Sequence, residues 1–95
     1  MKINIQQPPT GGSKALNDYV NQALTSFGKS ASGISCAEVR LRQDKGYAGE
    51  NKICEIYLSM AEKNIFAVQK GRTFEESAER AIQKLQKHLD NFPVK

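Results

Sequence analysis

Two runs of strictly alternating residues, separated by "DKGYAGE", constrain this chain more than anything else in it. From Cys36 to Gln43, Ala37, Val39 and Leu41 take one side while Glu38, Arg40 and Arg42 take the other. From Lys52 to Ala61, Cys54, Ile56, Leu58 and Met60 alternate with Glu55, Tyr57 and Ser59. Successive side chains of a strand point to opposite faces, so each run reads as a strand with one dry and one wet face. The Gly, Asp and Asn residues between them supply turn chemistry, and the spacing predicts a long antiparallel hairpin. A hairpin alone is marginal in water. The remaining chain must therefore cover one side of this sheet.

The flanks provide the cover. "KINIQ" alternates with Ile3 and Ile5 on one face and ends at Pro8 and Pro9, which lack amide donors. Ser13 offers an N-cap, and Leu16, Tyr19, Val20, Ala23, Leu24 and Phe27 recur every three or four residues up to Gly28. "GKSASG" reads as a surface linker. Beyond the hairpin, Glu62, Lys63 and Asn64 make a tight connection into "IFAVQK", whose β-branched and aromatic residues predict a fourth strand ending at Gly71. Thr73 with Glu76 forms a capping box. From it, Phe74, Ala78, Ala81, Ile82, Leu85, Leu89 and Phe92 trace one helical stripe until Pro93. The predicted fold is α+β, in the order β-α-β-β-β-α. A four-stranded mixed sheet carries two helices packed on one face, with strands two to four as an antiparallel meander and strand one joined in parallel to strand two.

Ninety-five residues suffice for one compact domain, and residues 1–95 are read as a single unit. No apolar run is long enough to span a membrane, and "MKINIQQPPTGG" is too polar for a secretory signal, which points to the cytoplasm. The two cysteines fall on opposite strand faces and have no neighbouring His, so neither a disulfide nor a zinc site is expected. No metal, cofactor or small-molecule substrate is called for. The one histidine is His88, no motif surrounds a nucleophile, and Glu75, Glu76 and Glu79 are explained by the macrodipole at a helix start. An enzyme is not expected.

Fourteen Lys and Arg against ten Asp and Glu leave a net charge of +4, which favours polyanionic partners. Arg80, Lys84 and Lys87 are spaced four and three along the second helix, with His88 beside them. Lys14, Lys29, Lys70 and Arg72, in loops or at helix entrances, extend the basic surface by topology. Such cations also stabilise a helix C-terminus, so the stripe has a structural explanation as well as a functional one. A second candidate is the outward sheet face, where Arg40, Arg42, Tyr57 and Phe66 bring guanidinium and aromatic groups together as in platforms that stack single-stranded bases.

With this element order, and with "ALNDYV", "AEVRL", "NIFA" and "TFEESAERAIQKLQKHL" in sequence, the chain resembles the short bacterial hibernation promoting factor and ribosome-associated inhibitor A family, also called ribosomal subunit interface proteins. The resemblance covers nearly the whole chain. It implies a factor that binds the small ribosomal subunit where messenger and transfer RNA would sit, contacts 16S rRNA, and blocks translation in resting or stressed cells. The family's basic positions on the second helix fall on Lys84 and Lys87. Helix one departs from the pattern, with Asn17, Ala23 and Ser26 where relatives often carry Arg or Lys. The chain's end at Lys95 matches the short form, without a dimerising tail. Two other functions remain compatible with the residues: a general double-stranded RNA-binding module, whose α-β-β-β-α arrangement is close to this one, and a protein-interaction adaptor using Tyr57 and Phe66.

Overall fold

The computed structural model describes residues 2–6, 13–30, 33–44, 49, 51–60 and 64–90, with backbone alone at 28–30, 89 and 90. Its elements are β1 (Lys2–Gln6), α1 (Lys14–Ser30), β2 (Ile34–Gln43), β3 (Lys52–Met60), β4 (Asn64–Gly71) and α2 (Phe74–Asp90). The sheet order is β1-β2-β3-β4. β1 runs parallel to β2, with Ile3 opposite Ala37 and Ile5 opposite Val39. β2 pairs antiparallel with β3, and β3 antiparallel with β4. This is the mixed sheet the alternation predicts.

The inner face and the two helices enclose one apolar cluster. Leu16, Val20, Leu24 and Phe27 of α1 meet Ala78, Ala81 and Leu85 of α2 over Ala37, Val39, Leu41, Cys54, Ile56, Leu58, Ile65 and Ala67 of the strands. Val20, Leu24, Ile56, Leu58 and Leu85 are fully buried. Truncating any one of the leucines would cost about 2–5 kcal/mol, because the close-packed interior cannot collapse into the gap. Tyr19, predicted on the core stripe, is instead 43% exposed at its edge. Leu89's side chain, and Phe92 and Pro93, lie outside the described residues. So do Pro8, Pro9 and the connection through Glu62 and Lys63.

Several boundaries differ from the sequence expectation. α1 continues past Gly28 to Ser30, since a glycine costs a helix only about 1 kcal/mol and does not break it. The left-handed residue that turns the chain is Gly33, at φ 97°. β2 begins at Ile34, two residues before the predicted start, because the register shifts there: Ile34 faces Met60 and Cys36 faces Ser59. That bulge breaks the alternation and sends Ile34, 9% exposed, into the core. Cys36 and Cys54 are free, the former half-buried and the latter buried.

β4 is antiparallel to β3 and therefore runs with β1 and β2. Both helices leave the same end of the sheet and return across it side by side. Their N-terminal halves meet in a shallow groove lined by Leu16, Tyr19, Glu75 and Glu79. This geometry decides which cations share a surface.

Candidate nucleic-acid interface

α2 begins as its sequence dictates. The Thr73 hydroxyl accepts the Glu76 amide at 3.1 Å, and the Thr73 carbonyl accepts the Ser77 amide at 3.1 Å. The Glu76 carboxylate reaches back to the Arg72 amide, at a long 3.5 Å, instead of the Thr73 amide of an ideal capping box. Gly71 makes room for this turn: a Cβ there would stand 2.8 Å from the Ser77 amide nitrogen. Acidic residues at the first turn and Lys87 and His88 at the last complement the helix dipole.

At 3.6 residues per turn, Arg80, Lys84, Lys87 and His88 fall within an arc of about 100°, and all four are exposed. Arg80 differs from the others. Its Nη2 pairs with Glu76 Oε1 at 3.0 Å and its Nη1 donates to the Lys70 carbonyl at 2.8 Å. The guanidinium thus ties the first turns of α2 to the end of β4. Lys84 and Lys87 have no carboxylate within ion-pair distance among the described residues. They form the available positive flank, with His88 one residue on.

Lys14 and Arg72 do not join them. Lys14 opens α1 and Arg72 precedes α2, at the N-terminal ends of the helices. Lys87 lies about 20 Å along the axis from the start of α2 at Phe74, beside which Arg72 stands. Lys29 lies near the C-terminal end of α1, on the correct side of the molecule, but its side chain is outside the described residues. The groove between the helix starts is acidic: burial, and then Glu79, push the Tyr19 hydroxyl above its ordinary pKa. Ala15 through Gly28 contain no cation, and the outer side of α1 presents Asp18, Asn21, Gln22, Thr25 and Ser26. Among the described residues, Lys84 and Lys87 place positive charge on the C-terminal half of α2, at the other end of the helices from the acidic groove.

The outer sheet face holds two features that sequence reading did not anticipate. Glu55, expected to be solvated, is 9% exposed, and its Oε2 receives Arg42 Nε at 3.1 Å and Nη2 at 3.0 Å. Ile53, also on this face, is 2% exposed and lies outside the main core. A clue was present in "KICEI", where Ile53 is an apolar residue at an outward position. Among the described residues, no group of His, Cys, Asp and Glu could hold a metal ion, and no helix is long and apolar enough to cross a membrane.

Residues 3–93 match the family model described as Sigma 54 modulation protein / S30EA ribosomal protein. The chain belongs to this family. The resemblance carried by "TFEESAERAIQKLQKHL" is thereby supported over almost the full chain, and the S30EA family is non-enzymatic. Solved structures agree in fold. The N-terminal domain of Thermus thermophilus Protein Y superposes with a TM-score of 0.76 at 20% identity, covering 98% of this chain and 100% of that one. A ribosomal subunit interface protein from Coxiella burnetii gives 0.78 at 18% identity, covering 95% of this chain and 94% of that one. No curated protein matches the chain.

Proposed function

We propose that this S30EA family member is a ribosome hibernation factor that docks on the small subunit, in the channel taken by messenger and transfer RNA. It contacts 16S rRNA there and holds translation off under stress or in stationary phase in the cytoplasm. The observation that carries the reading is the exposed pair Lys84 and Lys87, without carboxylate partners among the described residues, in a chain of a ribosomal protein family. The Coxiella burnetii neighbour is a ribosomal subunit interface protein, which supports action at the ribosome.

In this reading Lys84 and Lys87 neutralise phosphates, with His88 beside them. Lysine is a flexible point charge suited to a backbone contact that carries no sequence information. Arg80 holds the junction that presents the flank. Lys14 and Arg72 touch RNA only if it extends across both helices to their N-terminal ends.

Cosedimentation of the chain with purified small subunits over a series of salt concentrations tests this. Each phosphate contact contributes about −0.7 to −0.9 to the log-log salt slope, so the Lys84→Ala/Lys87→Ala variant should flatten it by about two. Plain duplex RNA as competitor should not displace the protein. Equal binding of wild type and variant at every salt concentration would remove Lys84 and Lys87 from the interface.

A further inference from the structure

The sheet face opposite the helices carries a second surface, independent of the α2 flank. Tyr57 and Phe66 are cross-strand partners on it. Their rings stack with centroids 5.9 Å apart and planes inclined by 25°. Phe66 is 60% exposed, Tyr57 39%, and Val68 next to them 39%. The two stacked rings with Val68 beside them make a contiguous apolar patch on the sheet face, the kind of surface that marks an interaction site.

The charges around the rings are not balanced in exposure. Lys2, Arg40, Arg42 and Lys70 face outward and are exposed. The two carboxylates of the face are withdrawn. Glu38 is half-buried and accepts Gln6 Nε2 at 3.4 Å, and Glu55 is 9% exposed, its Oε2 held by two nitrogens of Arg42. Every exposed charge among the described outward-facing residues is therefore a cation. A rim of one sign around exposed π-surfaces complements a polyanion that carries its own rings.

We propose that this face binds a short single-stranded RNA segment. Unstacked bases lie against Tyr57 and Phe66, and the phosphates run past Arg40, one same-face step of about 7 Å along the strands, and Lys70, two such steps away. A duplex does not fit the same chemistry, because its base faces are hidden in the stack. The rings already stack on one another, which lowers the cost of ordering them when a base joins the stack. The proposal does not rest on the reading of Lys84 and Lys87, which lie across the sheet.

Fluorescence anisotropy with labelled oligouridine and oligoadenosine, titrated with the full chain at low salt, tests it. Single strands should bind more tightly than the oligouridine–oligoadenosine duplex. Tyr57→Ala and Phe66→Ala should each weaken binding about fivefold or more, while Tyr57→Phe keeps it within about twofold and circular dichroism shows all variants folded. Lys84→Ala/Lys87→Ala should weaken it less than either ring substitution. A Tyr57→Ala/Phe66→Ala variant that binds the single strands as tightly as wild type overturns the proposal. So does equal affinity for the duplex. Self-association of the wild type that this double variant abolishes, with RNA affinity unchanged, would instead assign the rings to a second copy of the chain. Failure of the helix-flank site appears only in the ribosome cosedimentation, so the two readings fail separately.

Discussion

The guanidinium of Arg80 donates to the backbone carbonyl of Lys70 at 2.8 Å. This bond joins α2 to the last strand of the sheet, and Glu76 holds the same side chain from within α2 at 3.0 Å. A residue that looks in sequence like the first cation of a binding stripe is a clasp between β4 and α2. Its loss should show as lost stability: Arg80→Ala is expected to cost about 1–2 kcal/mol in urea unfolding. Lys84→Ala and Lys87→Ala should each stay within about 0.5 kcal/mol of wild type. Identical stabilities for all three variants would contradict the distinction.

Gly71 is required for space. A methyl group there meets the backbone nitrogen of Ser77 at 2.8 Å and the Glu76 side chain at 3.1 and 3.2 Å. Backbone within a capped helix cannot step aside as a flexible side chain does. Gly71→Ala should destabilise by about 1–3 kcal/mol, read as a lowered urea midpoint with an unchanged slope. An unchanged midpoint would show that α2 shifts freely on the sheet.

The pairing of Arg42 with Glu55 predicts an asymmetric result. Glu55 is buried and Arg42 is half in solvent, with side-chain exposures of 12% and 53%. Removing the arginine strands the carboxylate, so Arg42→Ala should cost about 1–3 kcal/mol. The double variant Arg42→Ala/Glu55→Gln should recover part of that loss, because no charge is left under the face. A double variant worse than the sum of the singles would argue against burial as the cause.

Cys54 should be chemically silent while Cys36 reacts. Burial, and then the neighbouring Glu55, push the Cys54 thiol up to about 12. Thiolate is the reactive form, so a disulfide reagent should label Cys36 in the folded protein and Cys54 only on unfolding. The same shift has a sign in stability. The folded pKa lies above the ordinary value of 9.0, so between the two the unfolded chain loses a proton that the folded chain keeps. Stability from this group is fully present below pH 9.0 and is lost as pH rises towards about 12. Cys54→Ala should flatten the alkaline limb of a stability-against-pH curve. A limb of equal steepness in the variant would assign it to other groups.

Most of the fold was legible because its periods are clean. Val39, Leu41, Cys54, Ile56 and Leu58 alternate without interruption, and Leu16, Val20, Leu24, Ala78, Ala81 and Leu85 repeat at helical spacing; all are buried. What sequence reading missed sits where a period is interrupted. Ile34 enters the core through a bulge that shifts parity by one residue, and α1 runs through Gly28 because neighbouring packing outweighs one residue's propensity. The candidate site was legible less fully. Lys84 and Lys87 on one exposed flank follow from their spacing, but Lys14 and Arg72 were grouped with them although they stand at the opposite ends of the helices.

The sequence alone determined which faces are dry. Hydrophobic periodicity is a local property, and it fixed the strands, the helices and the side of each that meets the core. Only the tertiary structure decided which charges remain available, since that depends on residues distant along the chain. Arg80 is engaged by Lys70, ten residues away, and Glu55 by Arg42, thirteen away, and neither partnership follows from a period. Burial of a carboxylate beneath an arginine, and the parallel return of two helices across one sheet, turn a mixed list of charges into separate cationic surfaces.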